Sequence, residues 1–241
     1  VVNCDGNMNV GDFDAWIANN GGAEATDDCG VINWRYEIVG TLDLCAATRV
    51  DTVRFIASDL CSNADTTMAL FTVIDTTPPM IFIRDTTILC DQDTSVGNLG
   101  GPTVVEDCGT YTLMHTDVVQ EGSCQQEETI LRTWVAVDEC NNSNTVLQTI
   151  DVVDTIPPQV TCPPTSYASC RADEIPIITS WSEFMDSLGT ATDNCNLDTT
   201  TFRYVTFRTV VQPTRRLVYR EYEIGDGCGN FGSCEHLIIV Q

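Results

Sequence analysis

The chain contains no lysine: its 11 basic residues are all arginine, set against 35 aspartates and glutamates for a net charge of −24. Lysine-based isopeptide crosslinks, which strengthen some surface pili, are therefore excluded, and disulfides must supply any covalent strength. So acidic a surface repels nucleic acid and anionic membranes. Solubility in a crowded assembly accounts for the charge more simply than cation storage does. No apolar run approaches the roughly 18 residues that a membrane-crossing helix needs. Histidine is limited to His115 and His236, in separate parts of the chain. No Gly-x-Ser-x-Gly, His-Glu-x-x-His or phosphate-cradling glycine loop occurs, so a non-enzymatic protein is expected. The many carboxylates read as a solvated face rather than acid–base pairs. No Cys-x-x-Cys pair is present, and the closest spacing, Cys228 to Cys234, does not match a zinc knuckle. The opening Val1-Val2-Asn3-Cys4 has no basic segment followed by an apolar stretch, so any export signal is expected to have been removed or to lie outside this sequence.

Cysteine is abundant instead. There are 13, at 4, 29, 45, 61, 90, 108, 124, 140, 162, 170, 195, 228 and 234, too many and too evenly spread for one redox or metal site. This usage belongs to an oxidising compartment, and the expected location is secreted, extracellular or at the cell surface.

The cysteines also reveal a repeat. Cys29, Cys45 and Cys61 recur as Cys108, Cys124 and Cys140, each displaced by 79 residues, and Asp75-Thr76-Thr77-Pro78-Pro79 recurs at the same offset as Asp154-Thr155-Ile156-Pro157-Pro158. A diverged third copy aligns Asp193-Asn194-Cys195 with Asp107-Cys108 and Gly227-Cys228-Gly229-Asn230 with Glu139-Cys140-Asn141-Asn142, at offsets of 87 and 88. Phe55, Trp134 and Tyr222 each lie six residues before the late cysteine of their copy and are expected in the core.

Those aromatics sit in runs that alternate and favour β-branched residues: 53–57, 131–137 and 217–224. With 68–74, 146–153, 202–211 and 236–240 they read as strands. Helical spacing appears only at Gly11–Asn20 and Thr179–Leu188, where Phe13, Trp16 and Ile17, then Trp181, Phe184 and Met185, share a face; the middle copy has the shorter 92–101 there. Each Pro-Pro pair fixes φ and makes a semi-rigid linker. Three β-sandwich modules follow, at 1–75, 76–154 and 155–241, the first apparently without its first strand.

A module of about 80 residues buries a modest core, and a disulfide closing about 15 residues adds roughly 3 kcal/mol. Position suggests Cys4 with Cys29, Cys45 with Cys61, Cys90 with Cys108, Cys124 with Cys140, Cys170 with Cys195, and Cys162 with Cys234. Cys228 is left over, as a buried free thiol or a crosslink to another chain.

Several segments together resemble the hyalin-repeat-like, immunoglobulin-like modules found in tandem in bacterial surface and secreted proteins. They are Asp75–Pro79, Thr161-Cys162-Pro163 with Cys170, Trp16 through Gly21-Gly22-Ala23, Ala25–Cys29, and Thr133–Asn142. The resemblance spans essentially the whole chain. It implies an all-β fold of three tandem immunoglobulin-like β-sandwich modules, disulfide-stapled, with a short helix inserted in the first and third. It also implies adhesion, spacing or extracellular structure rather than catalysis.

Two kinds of candidate site remain. Asp5, Asn7, Asn9 and Asp12 alternate as calcium ligands do, but Val10 stands where such a loop needs glycine and Trp16 where it needs a carboxylate, so a turn into a helix is expected and calcium is not. Asn141 heads the one N-glycosylation sequon. Asp precedes Thr52, Thr66, Thr76, Thr86, Thr155, Ser187 and Thr199 in a pattern resembling a bacterial surface-array O-glycosylation motif, although Asp-Thr is also common in turns.

The expected function is a non-enzymatic, extracellular structural or adhesive repeat protein, a subunit of a head-to-tail filament or stalk of a surface array. Its expected partners are copies of itself and surface glycans, without nucleic acid or membrane insertion, and without a cofactor beyond covalent glycans. The alternatives are a carbohydrate-binding accessory region of a larger secreted enzyme, which would expose an aromatic cluster, and a calcium-dependent adhesin.

Overall fold

The computed structural model describes residues 1–28 and 30–241; Cys29 lies outside the described residues. The first repeat contains β1 (Val2–Asn3), α1 (Val10–Ala18), β2 (Asn33–Asp43), β3 (Arg49–Ser58) and β4 (Ala64–Ile74). The second contains β5 (Met80–Phe82), β6 (Thr86–Leu89), α2 (Val96–Leu99), β7 (Thr103–Val105), β8 (Tyr111–Glu121), β9 (Glu128–Asp138) and β10 (Ser143–Val153). The third contains β11 (Gln159–Thr161), β12 (Ser166–Ala168), α3 (Trp181–Asp186), β13 (Thr190–Thr192), β14 (Asp198–Gln212), β15 (Arg215–Gly225) and β16 (Phe231–Val240).

Each repeat builds a four-stranded sheet on one plan: β1-β4-β3-β2, β6-β10-β9-β8 and β12-β16-β15-β14. A short first strand adds in parallel to the last, pairing Val2 with Val73, Thr86 with Ile150 and Ser166 with Ile238. In the first and third repeats the three long strands form an antiparallel meander. The second and third repeats add a two-stranded antiparallel sheet, β5–β7 and β11–β13. In the third, Val160 and Ala191 of that small sheet pack on the cluster of Phe184, Phe202, Tyr222 and Ile224, closing a sandwich. The molecule is thus an all-β, disulfide-stapled series of β-sandwich modules.

The first repeat departs from the expectation that it lacks its opening strand. Val2–Asn3 is that strand: it pairs with β4 as β6 pairs with β10, and the Cys4 amide extends the ladder to the Ile74 carbonyl at 2.7 Å. The Val73–Ile74 end of β4's outer edge is therefore covered, which limits foreign pairing there. What the repeat does lack, among the described residues, is a two-stranded sheet. Helix α1 supplies apolar cover instead, its Phe13 and Trp16 rings lying 5.2 and 5.3 Å from Phe71 and Trp16 lying 5.4 Å from Phe55.

Alternation sets the strand faces. On β9 the inward row is Ile130, Arg132, Trp134, Ala136 and Asp138; on β15 it is Val218, Arg220, Tyr222 and Ile224. The two buried arginines in these rows tie connecting segments to the sheets: Arg132 donates to Asp117 of the adjacent β8 and to the Thr94 carbonyl, and Arg220 to the carbonyls of Pro176 and Ala172. Both helices expected from periodicity form, as Val10–Ala18 and Trp181–Asp186. The second is fixed by a capping box between Ser180 and Glu183.

Two compact units are present. One comprises Val1–Arg84, Gly101–Thr116 and Thr133–Leu147; the other comprises Asp85–Gly100, Asp117–Arg132 and Gln148–Gln241. The first unit's core gathers Phe71, Val73, Cys4 and Cys108. The second unit holds Ile88, Ile130, Ile150 and Val152, the aromatic cluster of the third repeat, and Ala168, Val218, Ile238 and Val240. The residues of β8, β9 and β10 are divided between the units.

Candidate functional site: disulfide-bridged joints between repeats

The last hairpin of every repeat closes with the five-residue turn Asp-x-Cys-x-Asn: Asp59–Asn63, Asp138–Asn142 and Asp226–Asn230. One hydrogen-bond clasp holds all three. An Oδ1 of the aspartate accepts the amides of the cysteine and the asparagine, at 2.8 and 2.8 Å in the first two turns and 2.6 and 3.2 Å in the third. The asparagine Nδ2 then donates to the aspartate Oδ2 at 2.6, 2.8 and 2.6 Å. The residue after the cysteine takes positive φ, which Gly229 and Asn141 adopt readily and Ser62 less so. The aspartate is there because its side chain satisfies amides that a tight turn leaves without backbone partners.

In the second and third repeats the same asparagine reaches further. Asn142 Nδ2 donates to the carbonyl of Asp75 at 3.2 Å and Asn230 Nδ2 to that of Asp154 at 3.0 Å, gripping the Asp-Thr-x-Pro-Pro linkers. Gly109 lets the hairpin turn of the first repeat approach: a Cβ there would stand 2.6 Å from that of Ala46, and the Ala47 amide donates to the Cys108 carbonyl at 3.1 Å. Gly232 allows the third repeat's linker to cross β16, since a Cβ would collide with the Pro158 carbonyl.

Four disulfides lock these contacts. Cys4–Cys108 and Cys45–Cys140 lie in the first unit, with Cα atoms 5.9 and 5.2 Å apart. Cys90–Cys195 and Cys124–Cys228 lie in the second, at 5.7 and 5.1 Å. Every one of them joins a repeat to its successor. The cysteine after the short parallel strand bonds to the cysteine ahead of the next repeat's meander, and the hairpin-turn cysteine bonds to the next repeat's Asp-x-Cys-x-Asn turn. A fifth bridge, Cys162–Cys234, closes the third repeat on itself at 5.5 Å.

This pattern corrects the pairings expected within repeats. Cys45 and Cys61 flank the ten-residue β3, which spans roughly 30 Å at about 3.3 Å per residue. A disulfide tolerates Cα atoms no more than about 7 Å apart. The 11-residue β9 separates Cys124 from Cys140 in the same way. Cys170 follows β12, beside the end of β16, whereas Cys195 precedes β14 at the opposite end of that sheet. Cys4 and Cys90 bond forward to Cys108 and Cys195, so neither Cys4–Cys29 nor Cys90–Cys108 forms, and Cys29 itself lies outside the described residues. Cys228, expected to be left over, is bonded to Cys124; the exposed free thiols among the described residues are Cys61 and Cys170.

Carboxylates converge at each joint. Asp75, Glu106 and Asp138 stand in the first, and Asp154, Asp193, Asp226 and Glu127 in the second. Burial, reinforced by Asp193, Asp226 and Glu127, raises the pKa of Asp154 above the ordinary carboxylate value, although the Ile156 amide favours its ionised form. Its Oδ2 is buried without a hydrogen-bond partner, as is Oδ2 of Asp75 at the equivalent position.

The remaining candidate residues are scattered. Asp5 Oδ1 accepts the amides of Asn7 and Asn9, which lowers its pKa, while Asn9 is fully buried and donates to Asn3 and Asp12 at the entrance of α1. Asn141 is exposed beside Cys140. Thr66, Thr76, Thr155, Ser187 and Thr199 are also exposed, whereas Thr52 and Thr86 are half-buried in strands. His115 lies in β8 against Trp134, and His236 in β16 is buried against Ser166 and the Pro164 carbonyl. Burial, with Arg220 nearby, lowers the His236 pKa. The two histidines belong to different compact units.

By fold and bridging, this is a disulfide-linked tandem β-module protein. The chain matches no family model and no curated protein. Among solved structures it is similar to protocadherin gamma B2 extracellular cadherin domains 1–5, at 12% identity over 79% of this chain and 45% of that one, with a TM-score of 0.32. It is also similar to mouse cadherin-23 EC22–24, at 14% identity over 91% and 89% with a TM-score of 0.29. Drosophila N-cadherin EC1–4 gives 11% identity over 90% and 68% with a TM-score of 0.28. The chain spans less than half of the first of these, and scores this low transfer neither fold nor function.

Proposed function

We propose that the chain is a non-enzymatic structural or adhesive element of an extracellular assembly, built from hyalin-repeat-like modules of the bacterial surface type and associating head to tail with further copies. The observation that carries this reading is the bridging of every repeat to its successor by two disulfides. A protein whose modules served separate ligands would gain most from staples inside each module. Bridges between modules instead resist tension and fix spacing, which is what an array subunit needs. Five disulfides also require an oxidising compartment, in keeping with secretion. The dense negative charge keeps such material soluble and leaves acidic faces to repel non-specific partners. The exposed Asn141, Thr66, Thr76, Thr155, Ser187 and Thr199 are the positions at which glycans would be carried. Electron microscopy of the native secreted material tests the reading. Ordered filaments or sheets with a repeat near the length of three modules are expected; dispersed single particles at high protein concentration would overturn the head-to-tail array.

A further inference from the structure

Cys61 and Cys170 are not odd cysteines by position. Cys61 precedes Cys140 by 79 residues, and Cys140 precedes Cys228 by 88. All three are the third residue of the clasped turn, and the other two are bonded to the hairpin-turn cysteine of the preceding repeat. Cys170 follows β12 as Cys4 follows β1 and Cys90 follows β6, and both of those are bonded forward into the next repeat. Cys61 therefore stands at a site that bonds backward, and Cys170 at one that bonds forward.

A second observation points the same way. Beside the Cys61 turn lies an open depression whose lining includes Asp27, Ile32, Asp59 and Asn63. In sequence, Asp27 and Asp59 correspond to Glu106 and Asp138, which surround the linker carboxylate Asp75 in the bridged joint of the same unit. Asn63 corresponds to Asn142 and Asn230, the residues that grip linker carbonyls. The first repeat thus carries the receiving half of a joint, already clasped.

Resting on the array reading, we infer that Cys61 and Cys170 are covalent joints to further repeats of this build. Cys61 takes a hairpin-turn cysteine from a preceding repeat, whose Asp-Thr-x-Pro-Pro linker enters the depression. Cys170 takes the cysteine that opens the meander of a following one. The two ends differ in what they accept. The third repeat's own hairpin passes from β14 to β15 through Pro213 and Thr214 without a cysteine, so a second copy supplies a partner for Cys170, at the Cys29 position, but none for Cys61. The bond forms by exchange with a small disulfide such as oxidised glutathione. One protein thiolate attacks it and expels a thiolate, and the second protein thiolate attacks the mixed disulfide and expels the other. Two protein thiols lose two electrons and two protons in all, and one small disulfide becomes two small thiols.

Alkylation of the native secreted material without reduction, followed by peptide mapping, tests this. Cys61 and Cys170 are expected to be recovered linked to cysteines of other repeats. Linkage to a peptide of this sequence identifies a second copy, and linkage to a peptide outside it identifies a flanking repeat. Recovery of either thiol alkylated, or of the two bonded to each other within one chain, overturns its half of the inference. A gain-of-bond variant gives an independent check. In glutathione buffer, Val211→Cys, 87 residues after Cys124, is expected to add an inter-copy bond between the introduced cysteine and Cys61, abolished by Cys61→Ser; no such bond would count against the joint. Ordered arrays whose Cys61 and Cys170 are free would sink the covalent joint and leave the array reading standing. Bridged thiols in dispersed particles would do the converse.

Discussion

The turns at Asp226 and Asp59 share one sequence pattern and one hydrogen-bond clasp, yet the first is bridged and buried and the second lies open to solvent. Asp226 is 3% exposed, and its turn cysteine is bonded to Cys124; Cys61 is exposed and unbonded. The clasp is therefore local, formed by aspartate and asparagine alone, while burial and bonding come from the neighbouring repeat. The turn's hydrogen bonds thus form in the same way with and without a bridging neighbour.

The sharpest way to break that contrast is to remove the sulfurs. Replacing Cys124 and Cys228 together with serine opens a loop of 104 residues, for which chain entropy gives about 4–5 kcal/mol. A drop in Tm of about 10 °C is expected in thermal unfolding, at the roughly 2–4 °C per kcal/mol of a chain this size. Cys61→Ser in the same assay is expected to leave Tm unchanged.

The clasps come next. Asp226→Ala leaves the half-buried backbone amides of Cys228 and Asn230 without their acceptor and Asn230 Nδ2 with the Asp154 carbonyl alone, and is expected to cost about 2–3 kcal/mol in denaturant unfolding. Asp59→Ala exposes the same groups to water and is expected to cost under about 1 kcal/mol. Equal costs would mean that the neighbour contributes nothing to the clasp. Gly109→Ala probes the approach of Ala46 and is expected to cost about 1–3 kcal/mol by overpacking, against a gain of up to about 1 kcal/mol for Gly11→Ala, where a Cβ meets open space and adds helix propensity.

The smallest expected effects are those of pH, and they have opposite signs. His236 holds a lowered pKa in the fold, so as pH falls below the ordinary value of 6.5 the unfolded chain takes up a proton that the fold refuses. Stability is expected to decline on acidification through that window, and His236→Gln to flatten the decline. Asp154 holds a raised pKa, so as pH rises from its ordinary 3.8 the unfolded chain releases a proton that the fold retains. Stability falls across that window and the cost persists at neutral pH. Asp154→Asn is therefore expected to raise Tm at pH 7 and to flatten the fall in stability with rising pH. A fall in Tm would show that the carboxylate is stabilised by something other than its surroundings in the fold.

Much of this architecture could be read from the sequence. The runs at 53–57, 131–137 and 217–224 lie within β3, β9 and β15, and Phe55, Trp134 and Tyr222 are each no more than 2% exposed. Periodicity reports which face of a strand is buried, and those residues repeat it in register. Of the disulfides, Cys162–Cys234 is legible in the sequence, but the other bridges are not, because closeness along the chain is not closeness in space. A signal against pairing neighbours was present: strands predicted at 53–57 and 131–137 lie between Cys45 and Cys61 and between Cys124 and Cys140, and a strand holds its ends apart. The opening strand β1 was missed for a different reason. Two residues, Val2 and Asn3, are too few to show alternation, and only pairing with Val73 and Ile74 makes them a strand. The joint carboxylates could not be singled out among 35 acidic residues, since only the fold decides which of them lose water.

Mapping the disulfides of the native protein by non-reducing proteolysis and mass spectrometry addresses the bridging of repeat to repeat without intermediaries. Linked peptides containing Cys45 with Cys140 and Cys124 with Cys228 are expected. Recovery of Cys45 with Cys61 and Cys124 with Cys140 would contradict it, and would return the molecule to three separately stapled modules.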